Sequence, residues 1–151
     1  MANLVKSFLS KQDLKDIAEA IKEAEQWTSG EIRVGIRQKR AKKDKSLSVE
    51  QLARQEFVHL GMVKTKERTG ILIFILLDSR EFYILADEHI NQKVEARSWD
   101  SVAATMAAKF AKKEFRQGLL DAVRSVGEHL AKHFPAKPGD KNELSDEVDI
   151  S

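Results

Sequence analysis

Leu14, Ile17, Ile21 and Ala24 recur on one face of a stretch whose other positions are mostly Lys and Glu, the spacing of an amphipathic helix. Ser10 precedes it with Asp13 three residues on, an arrangement like a capping box, and Ser29-Gly30 marks its end. The period then changes. Ile32, Val34 and Ile36 alternate with Glu31, Arg33 and Arg37, which predicts a half-buried strand near a sheet edge. A second helix is predicted from Ser48, with Gln51 at the reciprocal capping position, a stripe of Leu52, Ala53, Phe57 and Leu60, and Gly61 as its stop.

Positions 71–77 (ILIFILL) are apolar throughout, so both faces of that strand must be covered, as in a central strand. Asp78-Ser79-Arg80 is short enough for a turn, and positions 82–85 (FYIL) then read as its antiparallel partner. Positions 89–94 suggest a short helix or turn. Ser98 is positioned to cap a helix through Trp99, Val102, Met106 and Phe110. Leu119, Val123, Val126 and Leu130 make a last helix over 118–134, stopped by Pro135. From Ala136 onward Pro, Gly and acids dominate and no packed structure is implied.

The order α-β-α-β-β-α-α, with a helical crossover between the first two strands, makes those strands parallel. The expected fold is therefore α/β: a three-layer α/β/α sandwich, with helices on both faces of a small mixed sheet. We place one domain at 1–135 and a flexible acidic tail at 136–151. A chain of 151 residues buries about two thirds of its unfolded surface, enough for a core without staples.

Composition narrows the chemistry. Cysteine is absent, which excludes disulfides and thiolate chemistry. No apolar run approaches the roughly 20 residues of a membrane span, and positions 1–12 lack a secretory core, so a cytoplasmic protein without membrane anchor is expected. Lys+Arg 26 against Asp+Glu 24 leaves a net charge of +2, too little to drive binding to nucleic acid. The basic stretch 37–45 (RQKRAKKDK) has no aromatic residue to stack on a base and is expected to be a solvated, mobile loop. Neither GxGxxG, GxxxxGK[ST] nor GxSxG occurs. His129 and His133 share a helix face, but EHLAKH lacks the glutamate that metalloprotease chemistry needs between the two histidines.

Acids at strand ends are the best candidates. Asp78 follows the central strand, and Asp87 and Glu88 follow its antiparallel partner at the opposite sheet edge, near Glu31. Glu31, Asp87 and Glu88 converging there would suit Ca²⁺ or Mg²⁺, which take oxygen ligands. The simpler alternative is that Asp87 and Glu88 cap the helix beginning near His89.

Several segments together resemble the TPM domain family, which includes thylakoid-lumen proteins of photosystem II repair. They are WTSGEIRV (27–34), FVHLGM (57–62), ERTGILIFILLDSREFYILAD (67–87) and KFAKKEFRQGLLDAV (109–123). The resemblance runs from about Phe8 to Pro135. It implies a three-layer α/β/α fold, a cleft that binds divalent cations, and the acid phosphatase activity attached to a plant member. It also shows departures: Asn91 and Ala96 stand where the family has Glu and Asp, and positions 3–10 (NLVKSFLS) lack its Asp before the first helix. The leading expectation is a non-enzymatic accessory or interaction domain with an unknown protein partner and weak Ca²⁺ or Mg²⁺ binding by Glu31, Asp78, Asp87 and Glu88. The alternatives are a metal-assisted acid phosphatase, with Asp78 or Asp87 on the ion and Arg80 on phosphate, and weak nucleic-acid binding through 37–45.

Overall fold

The structure, a computed structural model, describes residues 4–140 and 144–151. Helix α1 (Lys11–Glu25) opens on a complete capping box: Ser10 Oγ accepts from the Asp13 amide at 3.0 Å, and Asp13 Oδ2 accepts from the Ser10 amide at 2.8 Å. Helix α2 (Val49–His59) repeats the device with Ser48 and Gln51, at 3.1 and 2.8 Å. Each satisfies amide groups that a helix start otherwise leaves without partners. Gly61, at φ 73°, follows α2 in a conformation that favours glycine.

The sheet contains β1 (Glu31–Arg37), β2 (Gly70–Leu76), β3 (Glu81–Ala86) and β4 (Asp149–Ile150), in the order β3-β2-β1-β4. Strand β1 runs parallel to β2 with Glu31 opposite Gly70 and Arg37 opposite Leu76. Strand β3 returns antiparallel, placing Ile71 opposite Ala86. Three further helices complete the chain: α3 (Glu88–Lys93), α4 (Ala96–Ala111) and α5 (Phe115–His133).

The strand period divides the core in two. Ile32, Val34, Ile71 and Ile73 pack with residues of α1, α4 and α5, whereas Leu72, Phe74 and Leu76 pack with Leu52, Ala53 and Phe57 of α2. Every residue of β2 is buried, as an uninterrupted apolar strand between two helical layers requires. The α/β/α sandwich and its mixed sheet are as expected.

Three expectations need correction. The C-terminal segment, read as having no packed structure, supplies β4, which pairs parallel with β1 through Gly35–Asp149 and Ile36–Ile150. Val148 packs against the larger core and Leu144 against the smaller one, so alternate apolar residues in an acidic stretch are enough to dock it. Strand β1, expected to be half-buried near a sheet edge, lies one strand in from that edge between β2 and β4, and Glu31, Ile32, Val34, Gly35 and Ile36 are all buried. Ser98 lies inside the first turn of α4, whose N-cap is Glu95.

Candidate functional site

Asp87, Glu88 and Glu31 end up at one end of the sheet but do not converge. Asp87 is buried as the N-cap of α3, accepting from the Glu88 amide at 2.7 Å. Both its oxygens are also held by Arg68, at 3.0 and 3.1 Å. Its carboxylate is thus committed to a helix start and a bidentate guanidinium pair. Glu88 is exposed. Asp78 lies at the far end of β2, where its Oδ2 accepts from the Arg40 amide at 3.0 Å. The capping role, weighed as the simpler alternative, is the one Asp87 has.

The loop 37–45 is more anchored than expected. Arg37 pairs with the buried Glu56 at 2.7 Å and Arg40 with Glu81 at 3.2 Å, while Arg40 also donates to the Leu47 carbonyl. Its lysines, Lys39, Lys42, Lys43 and Lys45, are exposed.

Glu31 instead belongs to a different group of acids. Residues 27–30 (WTSG), between α1 and β1, are crossed by the chain leaving α5. Thr28 Oγ1 donates to the Phe134 carbonyl at 2.5 Å, the Ser29 amide donates to the same carbonyl at 2.9 Å, and the Ala136 amide donates to the Trp27 carbonyl at 3.1 Å. Gly30 sits under this crossing because a Cβ there would meet Leu130 at 2.9 Å. Beside it lies a cleft of about 250 Å³ lined by Glu25, Glu31, Asp140 and Asp146 together with Lys22 and Thr28. Helix α1 supplies Glu25, β1 supplies Glu31, and the C-terminal segment supplies Asp146.

The contacts are specific. Glu25 Oε2 accepts from the Ile32 amide at 2.9 Å, and Glu31 Oε1 accepts from the Leu144 amide at 2.6 Å. Asp140 accepts from the Lys137 amide at 2.6 Å. Glu25 Oε1 is buried and meets no donor while the neighbouring acids are ionised. Burial, followed by a hydrogen bond shared with Asp146, pushes the Glu25 carboxyl up to about 9; the Ile32 amide opposes this, and the charges of Asp146 and Glu31 add to it. With its carboxyl raised so far, Glu25 favours the protonated form at neutral pH, where ordinary glutamates are ionised.

A hard divalent cation suits such a donor set, because it is all oxygen and carries excess negative charge. Among the described residues, however, no three His, Asp or Glu side chains already stand in metal-holding positions. Sequence reasoning found Glu31 and missed Glu25 and Asp146. Glu25 reads as one more solvated helix residue, and Asp146 falls in the segment read as loose.

A small mixed sheet between helices, with acids gathered at the amino ends of its parallel strands, defines the class. The TPM domain model matches residues 5–129, and the chain belongs to that family. The chain is similar to BA42 from the psychrophilic bacterium Bizionia argentinensis, at 34% identity and TM-score 0.86, covering 95% of this chain and 96% of that one. It shares its fold with the N-terminal domain of cg2496 from Corynebacterium glutamicum (14% identity, TM-score 0.62, 82% and 75% of the two chains). The N-terminal domain of a P. gingivalis protein is a further fold relative, at 18% identity, TM-score 0.62, and 84% and 79% coverage. None of the curated proteins compared with the chain matches it. Among the described residues, no helix is long and apolar enough to cross a membrane.

Proposed function

We propose that this chain is a non-enzymatic interaction domain in which a divalent cation, Ca²⁺ or Mg²⁺, fastens the C-terminal segment across the end of the sheet. Glu25, Glu31 and Asp146 would hold it. The observation that carries this reading is the half-buried Glu25 carboxyl, whose Oε1 is buried without a donor in a cleft that Glu31 and Asp146 also line. Protonation of Glu25 would relieve this crowding of carboxyls, and a cation offers the same relief with more charge. Asp146 is half-buried, which leaves its side chain room to turn inward on binding. Binding is preferred to catalysis because a phosphatase needs a nucleophile, a base and phosphate-binding groups at one place. Asp78 and Arg80 instead lie at the opposite end of the sheet from Asp87.

Thermal melting in EDTA, Ca²⁺ and Mg²⁺ tests this directly. The melting temperature should climb with cation concentration, as for any ligand of the native state. Glu25→Gln combined with Asp146→Asn should remove the response, while Asp78→Asn and Glu88→Gln should keep it. Trp27, 67% exposed and flanked along the chain by the cleft residues Gln26 and Thr28, provides a second readout through its fluorescence. No shift at millimolar cation, or an undiminished response in the double variant, overturns the assignment.

A further inference from the structure

At the carboxyl ends of β1 and β2, opposite the acidic cleft, lies a cavity of about 480 Å³. Four of the seven phenylalanines line it: Phe8, Phe82, Phe110 and Phe115. All four are only partly buried, whereas Phe57, Phe74 and Phe134 are buried elsewhere. Their rings already contact one another edge-on or tilted, with centroids 4.7 Å apart for Phe8–Phe115, 5.7 Å for Phe82–Phe110 and 5.5 Å for Phe110–Phe115. The molecule's incompletely buried phenylalanines are therefore all gathered in one concavity, where a ligand could remove their remaining apolar surface from water.

The mouth is basic. Arg80 and Lys113 line it, both exposed, and neither takes part in an ion pair among the described residues. The only acid of the lining, Glu81, is paired with Arg40 at 3.2 Å. Both cations sit on left-handed backbone, at φ 55° and 63°, where glycine is the usual residue. Arg80 occupies this conformation in the β2–β3 turn, its amide donating to the Leu77 carbonyl at 3.1 Å. Lys113 takes the position after α4 that closes a Schellman motif, with the Lys113 amide donating to Phe110 and the Glu114 amide to Lys109. Apolar walls with a cationic rim suit a ligand that is apolar along its length and anionic at one end. The size falls in the roughly 300–1,000 Å³ of small-ligand sites, and open α/β sheets bind ligands at the carboxyl ends of their strands.

We propose that this cavity binds a free fatty acid, its chain lying among the four phenylalanines and its carboxylate between Arg80 and Lys113. A nucleotide or sugar is disfavoured because the walls provide almost no hydrogen-bonding side chains, and a neutral lipid because the two cations would lack a partner.

The test is an amide NMR titration of the full chain with decanoate below its micellar concentration. Decanol and phosphatidylglycerol vesicles serve as comparison ligands. Shifts should concentrate around Phe8, Phe82, Phe110 and Phe115, and decanol should bind at least tenfold more weakly. Arg80→Gly with Lys113→Gly removes the headgroup contacts at positions whose backbone favours glycine, so the fold is retained; decanoate affinity should fall at least tenfold. Ala107→Phe fills the cavity from the exposed side of α4 and should abolish binding. Absent or scattered shifts, equal affinity for decanol, or unchanged affinity in either variant overturns the proposal. So does binding to the vesicles with none to free decanoate, which would make this face a membrane-contact surface instead.

Discussion

At the amino ends of β1 and β2 the chain crosses itself and brings carboxyls of α1 and β1 together with those of the distant C-terminal segment, whereas at their carboxyl ends it leaves four phenylalanines around an open cavity. The same two strands frame both places. The acidic end is closed by hydrogen bonds between loops, such as those from Thr28, Ser29 and Ala136, and holds excess negative charge. The aromatic end is open and rimmed by cations. A polar site of the first kind is held together by charged and hydrogen-bonding partners, so its stability should respond to protons and ions. An apolar site of the second kind is set by packing and should be indifferent to both.

The two ends depend on the common sheet, and Phe74→Asp is the largest perturbation of it. Phe74 is fully buried between β2 and α2, and an unpaired carboxylate there should cost more than about 4 kcal/mol and abolish cooperative melting. Ion response and aromatic cavity should disappear together; a soluble variant that still melts cooperatively would show the ends to be less dependent on β2 than its burial implies.

A smaller perturbation separates them. The folded-state Glu25 carboxyl sits at about 9, above the ordinary 4.5, so the folded protein binds the proton more tightly than the unfolded chain. Its contribution to stability is complete below pH 4.5 and is lost as pH rises toward 9. In EDTA the melting temperature should therefore decline across that interval. Glu25→Gln should flatten the decline, and saturating Ca²⁺ should do so at the alkaline side, where cation binding no longer competes with the proton. A decline of equal slope in Glu25→Gln would assign the effect to another group.

The smallest effect belongs to the aromatic end. Lys113→Gly should stabilise the fold by about 0.5–1 kcal/mol, since φ 63° strains a side-chain-bearing residue. Denaturant melts check this, and the cation response should be unaltered if the two ends are independent.

What could be read from the sequence follows the range of the interaction. The capping boxes at Ser10 and Ser48 use partners three residues away, and both were legible. The buried central strand was legible because all its residues are apolar. Strand β4 was not, since two residues carry no period, and an acidic stretch resembles a solvated tail until β1 offers it a ladder. The candidate site failed for the same reason. Glu31 and Leu144 meet across 113 positions, and nothing local to Glu25 or Asp146 marks them as neighbours. The capping role of Asp87 was legible, but the guanidinium that holds it was not, because Arg68 comes from the preceding polar loop.

Strand β1 has one flank against β2 and another that would otherwise be bare. The Ile32 amide on that flank is taken by the Glu25 carboxylate, the Ile36 carbonyl accepts from Ser151 at 2.9 Å, and the Gln38 amide donates to the Ser151 carbonyl at 2.9 Å. Unpaired strand flanks are templates on which a second copy of a chain can add its own strand. The C-terminal segment and the Glu25 side chain together shield this one. Loosening the segment would leave the core of the domain folded but uncover a row of amides and carbonyls. Such loosening would appear as self-association that grows with protein concentration, well before any loss of secondary structure.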